Sequence, residues 1–277
     1  MIRRPFGYTG IEVPVIGQGT WRLRDKAKAA EALAEGLRLG MTHIDTAELY
    51  TGAEQVIAPV IEGRRDEVFL VSKVLPQNAS YEGTLAACGK SLERLRTDHL
   101  DVYLLHWWSS RHPLEETMRA MQELVRQGRT RHVGVSNFDV GELEAARKAL
   151  GSGRIACNQV LYHLGDRGIE HEVLPYCERH GIAVVGYSPF GSGAFPPGGK
   201  KGARVLEEVA KRHGKTPHQV ALNFLSRHPN VFLIPKAEDV AHVRQNAGAV
   251  GWSLTERDLE EIEAAFPRPP PGPIGSI

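Results

Sequence analysis

Short β-rich runs alternate along the chain with longer stretches whose apolar residues recur at helical spacing. The strand candidates are Val15–Ile16, Thr42–Ile44, Val68–Val71, Leu100–Leu105, Arg131–Val135, Ile155–Val160, Ile182–Gly186 and Val231–Ile234. Between them, sets such as Leu33 and Leu37, or Leu114, Met118, Met121 and Val125, fit one face of an α-helix. Strand, helix, strand with crossovers of this length implies parallel pairing. Eight such units in one chain predict an α/β fold of the closed (β/α)8, or TIM barrel, type. An open doubly wound sheet is the rival reading.

Several pieces fall outside the eight units. Phe6 to Pro14, with Thr9-Gly10 inside, reads as a β-hairpin able to cap the bottom of a barrel. A glycine- and proline-rich loop, GSGAFPPGGKKG, follows the seventh strand. Two helices come after it: Ala203–His213, then one entered at Thr216-Pro217, with threonine as N-cap and proline at the first position. The proline-rich end after Phe266 cannot form a regular helix and is a candidate to lie across a barrel mouth. No linker divides the chain, so one domain is expected over residues 1–277.

Composition supports a single large core and narrows the partners. Of 277 residues, 42% are hydrophobic, enough for a barrel of this length. The net charge of +1 speaks against a nucleic-acid binder that relies on a global positive field. Cys88, Cys157 and Cys177 are odd in number and show no CxxC spacing, so neither a disulfide framework nor a zinc site is expected. No metal is expected elsewhere. No apolar run follows the first arginines, and no window of 18 apolar residues exists. A soluble, cytoplasmic protein in a reducing compartment is the reading.

In a βα barrel the chemistry sits at the C-terminal ends of the strands. Those ends carry Gly19-Thr20-Trp21, Asp45 with Tyr50 beyond it, Lys73, His106, Ser136-Asn137, Gln159, Tyr187-Ser188 and Lys236. Singly, each has a bland explanation. A histidine after YLLH is more often a core residue, an Asp–Lys pair can merely bridge two strands, and Ser and Asn often cap strand ends. Polar groups at all eight ends together predict a site.

The longer motifs resemble those of the aldo-keto reductase family. They are GMTHIDTAELY (Gly40–Tyr50), SLERLRTDHLDVYLLHW (Ser91–Trp107), GVSNF (Gly134–Phe138), NQV (Asn158–Val160), GYSPFGSG (Gly186–Gly193) and IPKAEDVAHVRQNAGA (Ile234–Ala249), in family order over nearly the whole chain. The resemblance implies a barrel with an N-terminal hairpin and extra helices. It also implies a nicotinamide cofactor, usually NADPH with NADH possible, and carbonyl reduction without metal. The family's catalytic tetrad falls on Asp45, Tyr50, Lys73 and His106. In this scheme Tyr50 donates the proton, Lys73 lowers its pKa, Asp45 holds Lys73, and His106 orients the carbonyl.

Carried over in the same way, Gly19, Thr20 and Trp21 border the cofactor. Ser136, Asn137 and Gln159 clasp its carboxamide, and Tyr187 stacks on the nicotinamide. Ser188, Phe190 and Ser192 wrap the pyrophosphate, which is not a Rossmann arrangement because no GxGxxG follows the first strand. Lys236, His242, Gln245 and Asn246 fall at the adenosine-phosphate end. There Ala237 replaces the usual serine, His242 the usual arginine and Gln245 the usual glutamate. Glu238 and Asp239 add two acids able to repel a phosphate if they face it. The substrate pocket implied comprises Trp21, Tyr50, His106 and Trp107, with Trp108 packed outside. The short loop Ser109–His112 implies an open mouth and small carbonyl substrates such as 2-oxoaldehydes. A monomer is expected. Competing readings are a barrel aldolase with Lys73 as Schiff-base lysine, and a cofactor-binding redox sensor with little turnover.

Overall fold

The computed structural model describes residues 1–191 and 195–276. An antiparallel hairpin opens the chain, β1 (Arg3–Pro5) against β2 (Glu12–Pro14), wider than the expected Phe6–Pro14. Eight parallel strands follow: β3 (Gln18–Gly19), β4 (His43–Asp45), β5 (Phe69–Val74), β6 (Leu100–Leu105), β7 (Thr130–Ser136), β8 (Ile155–Leu161), β9 (Ala183–Tyr187) and β10 (Val231–Leu233). Each pairs with its neighbours in chain order. Bonds between the two ends close the ring. Gly17 N–H donates to Leu233 O (2.8 Å), Leu233 N–H donates to Val15 O (2.9 Å), and Gly19 bridges to Lys236. This is the barrel, not the open sheet.

The first strand was misplaced by the pattern of apolar residues. Val15 and Ile16 bond to β10, and the ladder to β4 runs through Gln18–Gly19 instead. A Cβ on Gly19 would lie 2.6 Å from Ile234 O, so the closing strand has no room for the β-branched residues that mark the others.

Helices α1 (Lys26–Arg38), α2 (Ala53–Ile61), α3 (Tyr81–Leu95), α4 (Leu114–Arg126), α5 (Val140–Leu150) and α6 (Val173–Arg179) follow successive strands. After β9 come α7 (Gly199–His213) and α8 (Pro217–Leu225); after β10 come α9 (Val240–Ala247) and α10 (Glu256–Ala265). The extra helices α7 and α10 pack against each other. Helix α7 begins before Ala203, where Gly198 turns the chain through a left-handed conformation (φ 80°). Thr216 caps α8 through a reciprocal bond pattern with Gln219, with Pro217 at the first position, as read from the sequence. In α4 the apolar stripe drifts to buried Leu124 and leaves Val125 40% exposed. Successive steps of three and four residues carry the core-facing stripe to 124 rather than 125.

Phe6 is fully buried and plugs the N-terminal end of the barrel, its ring 4.8 Å from Phe69 and 4.9 Å from Phe232. His43 lies in the same layer, and neither of its ring nitrogens has a hydrogen-bond partner among the described residues. Burial, with Lys73 adding to it, pushes its pKa down to about 3. The unfolded chain therefore takes up a proton near pH 6.5 that the native chain refuses. The stability present above that pH is lost as the pH falls. Between pH 7 and pH 5 this amounts to about 2 kcal/mol. His43→Leu should flatten the acid dependence by about that much in urea unfolding at the two pH values. An unchanged acid dependence would mean that His43 does not titrate in this way.

The tail after α10 runs beside β8 and α6. His171 Nε2 pairs with Pro269 O at 2.7 Å, and Pro271 to Ile274 share a groove with Asp139, Val140 and Val173. Its described residues do not line the cavity at the barrel mouth. No helix among the described residues is long and apolar enough to cross a membrane. The three cysteines are free and buried.

Candidate active site

Side chains alternate along each strand, so every second residue points into the barrel. Phe69 and Val71, Val102 and Leu104, Ala183 and Val185, and Phe232 and Ile234 fill the interior. The next member of each series is polar: Lys73, His106, Tyr187 and Lys236. His106, Tyr187 and Lys236 meet at the C-terminal mouth, and Lys73 lies buried just behind it.

A cavity of about 200 Å³ opens there. Gly19, Thr20, Trp21, Asp45, Tyr50, His106, Trp107, Ser136, Asn137, Gln159, Tyr187, Ser188 and Lys236 all line it, with Leu49 and Ile234, which the sequence reading left out. Leu49 is 44% exposed in the loop before Tyr50, and an apolar residue in a polar loop was the available signal. Trp107 lines the cavity with its ring 4.9 Å from that of His106, whereas Trp108 lies outside the lining.

Lys73, on β5, is fully buried behind the lining residues Asp45 and Tyr50 and does not itself line the cavity. Its Nζ donates to Asp45 Oδ1 at 2.6 Å, to Thr46 O at 2.8 Å and to the Tyr50 hydroxyl at 3.4 Å. Gln159 Nε2 holds the other carboxylate oxygen of Asp45 at 2.7 Å, and Thr20 Oγ1 donates to the Asp45 carbonyl at 2.8 Å. Burial opposes the charge on Lys73, but the Asp45 carboxylate and the Tyr50 oxygen outweigh it and raise the lysine pKa. For Tyr50 burial is the larger influence and raises the phenol, with Lys73 pulling the other way. Lys73 thus lowers this pKa as expected, but burial outweighs it and leaves the phenol above its ordinary value.

The Tyr50 and His106 rings meet edge to face at 5.8 Å. Burial, then the nearby Lys73, pushes His106 down to about 3, so its imidazole is neutral near pH 7. Nδ1 is buried without a partner among the described residues, which leaves Nε2 as the nitrogen open to the cavity that His106 lines.

The opposite wall is a hydrogen-bonded amide cluster. Ser136 Oγ donates to Gln159 O (2.8 Å), Asn137 Nδ2 donates to His106 O (3.1 Å) and Ser136 Oγ (3.2 Å), and the Tyr187 hydroxyl donates to Asn137 Oδ1 (2.8 Å). Gln159 Oε1 has no partner among the described residues. Asn137 (φ 61°) and Ser188 (φ 50°) both hold left-handed backbone, which costs about 1–3 kcal/mol and clusters at functional sites.

The remaining predicted residues stand apart. Phe190 packs on Phe195 and His218 rather than lining the cavity. Ser192 lies outside the described residues. His242, Gln245 and Asn246 sit on α9 beyond Lys236; His242 is exposed, Asn246 is buried, and Gln245 Nε2 donates to Thr216 Oγ1 at 2.7 Å. Among the described residues no group of histidine, cysteine, aspartate and glutamate is placed to hold a metal ion.

The C-terminal end of a closed barrel thus gathers Tyr50 and His106 over a buried Lys73–Asp45 pair. The chain belongs to the aldo/keto reductase family, whose sequence model matches residues 15–266. It is 42% identical to the methylglyoxal reductase YeaE of Escherichia coli K12, over 94% of this chain and 93% of that one. It is 34% identical to the glyoxal reductase of Bacillus subtilis, over 93% and 90%. A crystal structure of an aldo/keto reductase from Klebsiella pneumoniae in complex with NADP and acetate superposes with a TM-score of 0.91, at 38% identity over the whole of both chains.

Proposed function

We propose that this enzyme reduces small aldehydes and 2-oxoaldehydes to alcohols with NADPH, and that Tyr50 is the proton donor. The observation that carries the reading is the Tyr50 hydroxyl, in the lining of the barrel-mouth cavity, within reach of a fully buried Lys73 paired with Asp45 behind that lining. The named relatives and the NADP-bound neighbour support the substrate class and the cofactor.

The residues present fit the cofactor. The wall offers an unengaged amide oxygen on Gln159, the ring of Tyr187 and, at the far side, the cation of Lys236, which suits a carboxamide-bearing ring with an anionic arm. NADPH, when bound, supplies hydride to the carbonyl carbon. The carbonyl oxygen then gains negative charge and needs a proton. Neutral His106 donates a hydrogen bond to that oxygen from Nε2 and orients it. Tyr50, protonated at neutral pH, releases its phenolic proton to the same oxygen. Lys73 stabilises the phenolate left behind, and Asp45 keeps Lys73 charged and in place.

That same pairing disfavours a Schiff-base role. A lysine must be neutral to attack a carbonyl, and Asp45 holds Lys73 charged. Three buried, unbridged cysteines accord with a reducing, cytoplasmic setting.

The test is kcat/KM for a carbonyl panel with NADPH and NADH. Methylglyoxal and electron-poor aldehydes should exceed bulky ketones, because their carbonyl carbons accept hydride more readily. Best activity on bulky ketones would overturn the substrate reading. Trp107→Ala should reorder the panel while leaving the NADPH Kd nearly unchanged. An equal loss on every substrate, together with weakened NADPH binding, would instead mark Trp107 as structural.

A further inference from the structure

Lys236 does not stand at its strand end as a free cation. Its Nζ lies 2.6 Å from Oε1 of Glu238, two residues along the chain. The same carboxylate accepts from the backbone N–H of Arg24 at 2.8 Å and from that of Asp25 at 3.5 Å. Arg24 and Asp25 belong to the segment between β3 and α1, so Glu238 joins two loops of the cavity rim through one charged group. Burial works against that charge, but Lys236 and the two amides outweigh it and keep the carboxyl below the ordinary glutamate range. Glu238 is therefore ionised at neutral pH.

Nearby charges do not relieve this pairing. Asp239 accepts from Ala241 N–H at 2.7 Å as the cap of α9, and Arg244 is bonded to Glu35 at 2.7 Å. Arg22 stacks its guanidinium 4.1 Å over the Trp21 ring. His242, on the first turn of α9, is exposed to solvent.

We propose that Glu238 is a specificity-determining residue, a built-in counter-ion that competes with the 2′-phosphate of NADPH for Lys236 and narrows the preference over NADH. The proposal rests on the reading that Lys236 receives this phosphate. NADH has no such group and can bind with the Lys236–Glu238 pair intact. A phosphorylated cofactor must share the lysine with a carboxylate or separate the two, and either course sets like charges close together. Because the pair sits at the rim, partly open to solvent, its effect should be moderate rather than absolute.

The experiment is a titration of the full chain with NADPH and with NADH, followed by quenching of tryptophan fluorescence, which Trp21 and Trp107 in the cavity lining make sensitive. Glu238→Gln keeps the side-chain shape and one oxygen for the Arg24 N–H, gives up only the long 3.5 Å bond from the Asp25 N–H, and removes the charge. It should tighten NADPH about tenfold, equivalent to ~1.4 kcal/mol, and change NADH less than about twofold. Lys236→Met is measured alongside and should weaken NADPH selectively. If Lys236→Met leaves NADPH binding unchanged, the phosphate assignment of Lys236 is lost and the proposal falls with it. If Lys236→Met weakens NADPH but Glu238→Gln fails to tighten it, or tightens both cofactors alike, the assignment stands and the proposal is overturned. An equal effect on both would mean that Glu238 acts only through the Arg24–Asp25 loop.

Discussion

Tyr50→Phe should lower kcat for methylglyoxal by about 10²–10⁴-fold, the usual worth of a positioned general acid, and leave the NADPH Kd within about twofold of wild type. The substitution removes one hydroxyl and keeps the ring that meets His106 edge to face at 5.8 Å. Lys73 loses only its longest bond, 3.4 Å, and retains those to Asp45 and Thr46. The floor of the cavity should therefore keep its shape while losing its acid. Steady-state kinetics and a separate binding titration check both halves. Near-normal kcat would place the proton donor elsewhere, and a large loss of cofactor binding would mean that the variant disturbed the wall as well.

Lys73→Met should have a second large effect, this time on stability as well as rate. It strands the Asp45 carboxylate, 1% exposed, without its cation. Breaking a buried pair by removing one partner typically costs about 3–5 kcal/mol. Asp45 already has its pKa raised by burial against the pull of Lys73 and Gln159, and without Lys73 it should rise further. Combining Lys73→Met with Asp45→Asn removes both charges and should recover most of the lost stability, measured by urea unfolding. Activity should not return, because the ammonium that stabilises the Tyr50 phenolate is still missing. Residual activity in either variant should persist to higher pH than in wild type. A reductive general acid works while protonated, and without Lys73 its pKa lies higher still. Recovery of both stability and rate in the double variant would show the Lys73–Asp45 pair to be structural only.

Much of this site was legible because strand periodicity and barrel geometry converge on the same residues. Phe69, Val71 and Lys73, or Val102, Leu104 and His106, read as two inward apolar steps followed by a polar one at the open end. Helix entries were legible where local chemistry marked them, as at Thr216-Pro217. Where backbone closeness replaced side-chain pattern, the reading failed. Gln18–Gly19 closes the barrel with a residue that has no side chain, beside the more strand-like Val15–Ile16. Pairings between distant loops were equally hidden. Glu238 was visible as an acid near Lys236, but its bonds to Arg24 and Asp25 span more than two hundred positions. The direction of the Tyr50 pKa also depended on burial, which competes with Lys73 and cannot be read from spacing.

The most direct measurement is a crystal structure of the enzyme with NADP⁺ and a carboxylate or carbonyl inhibitor. The inhibitor oxygen should lie within about 2.6–3.2 Å of both the Tyr50 hydroxyl and His106 Nε2, with Trp107 beside it and Lys73 still bonded to Asp45. An inhibitor oxygen held by other groups, with Tyr50 and His106 turned away from it, would contradict the assignment of this cavity as the place where the carbonyl is reduced.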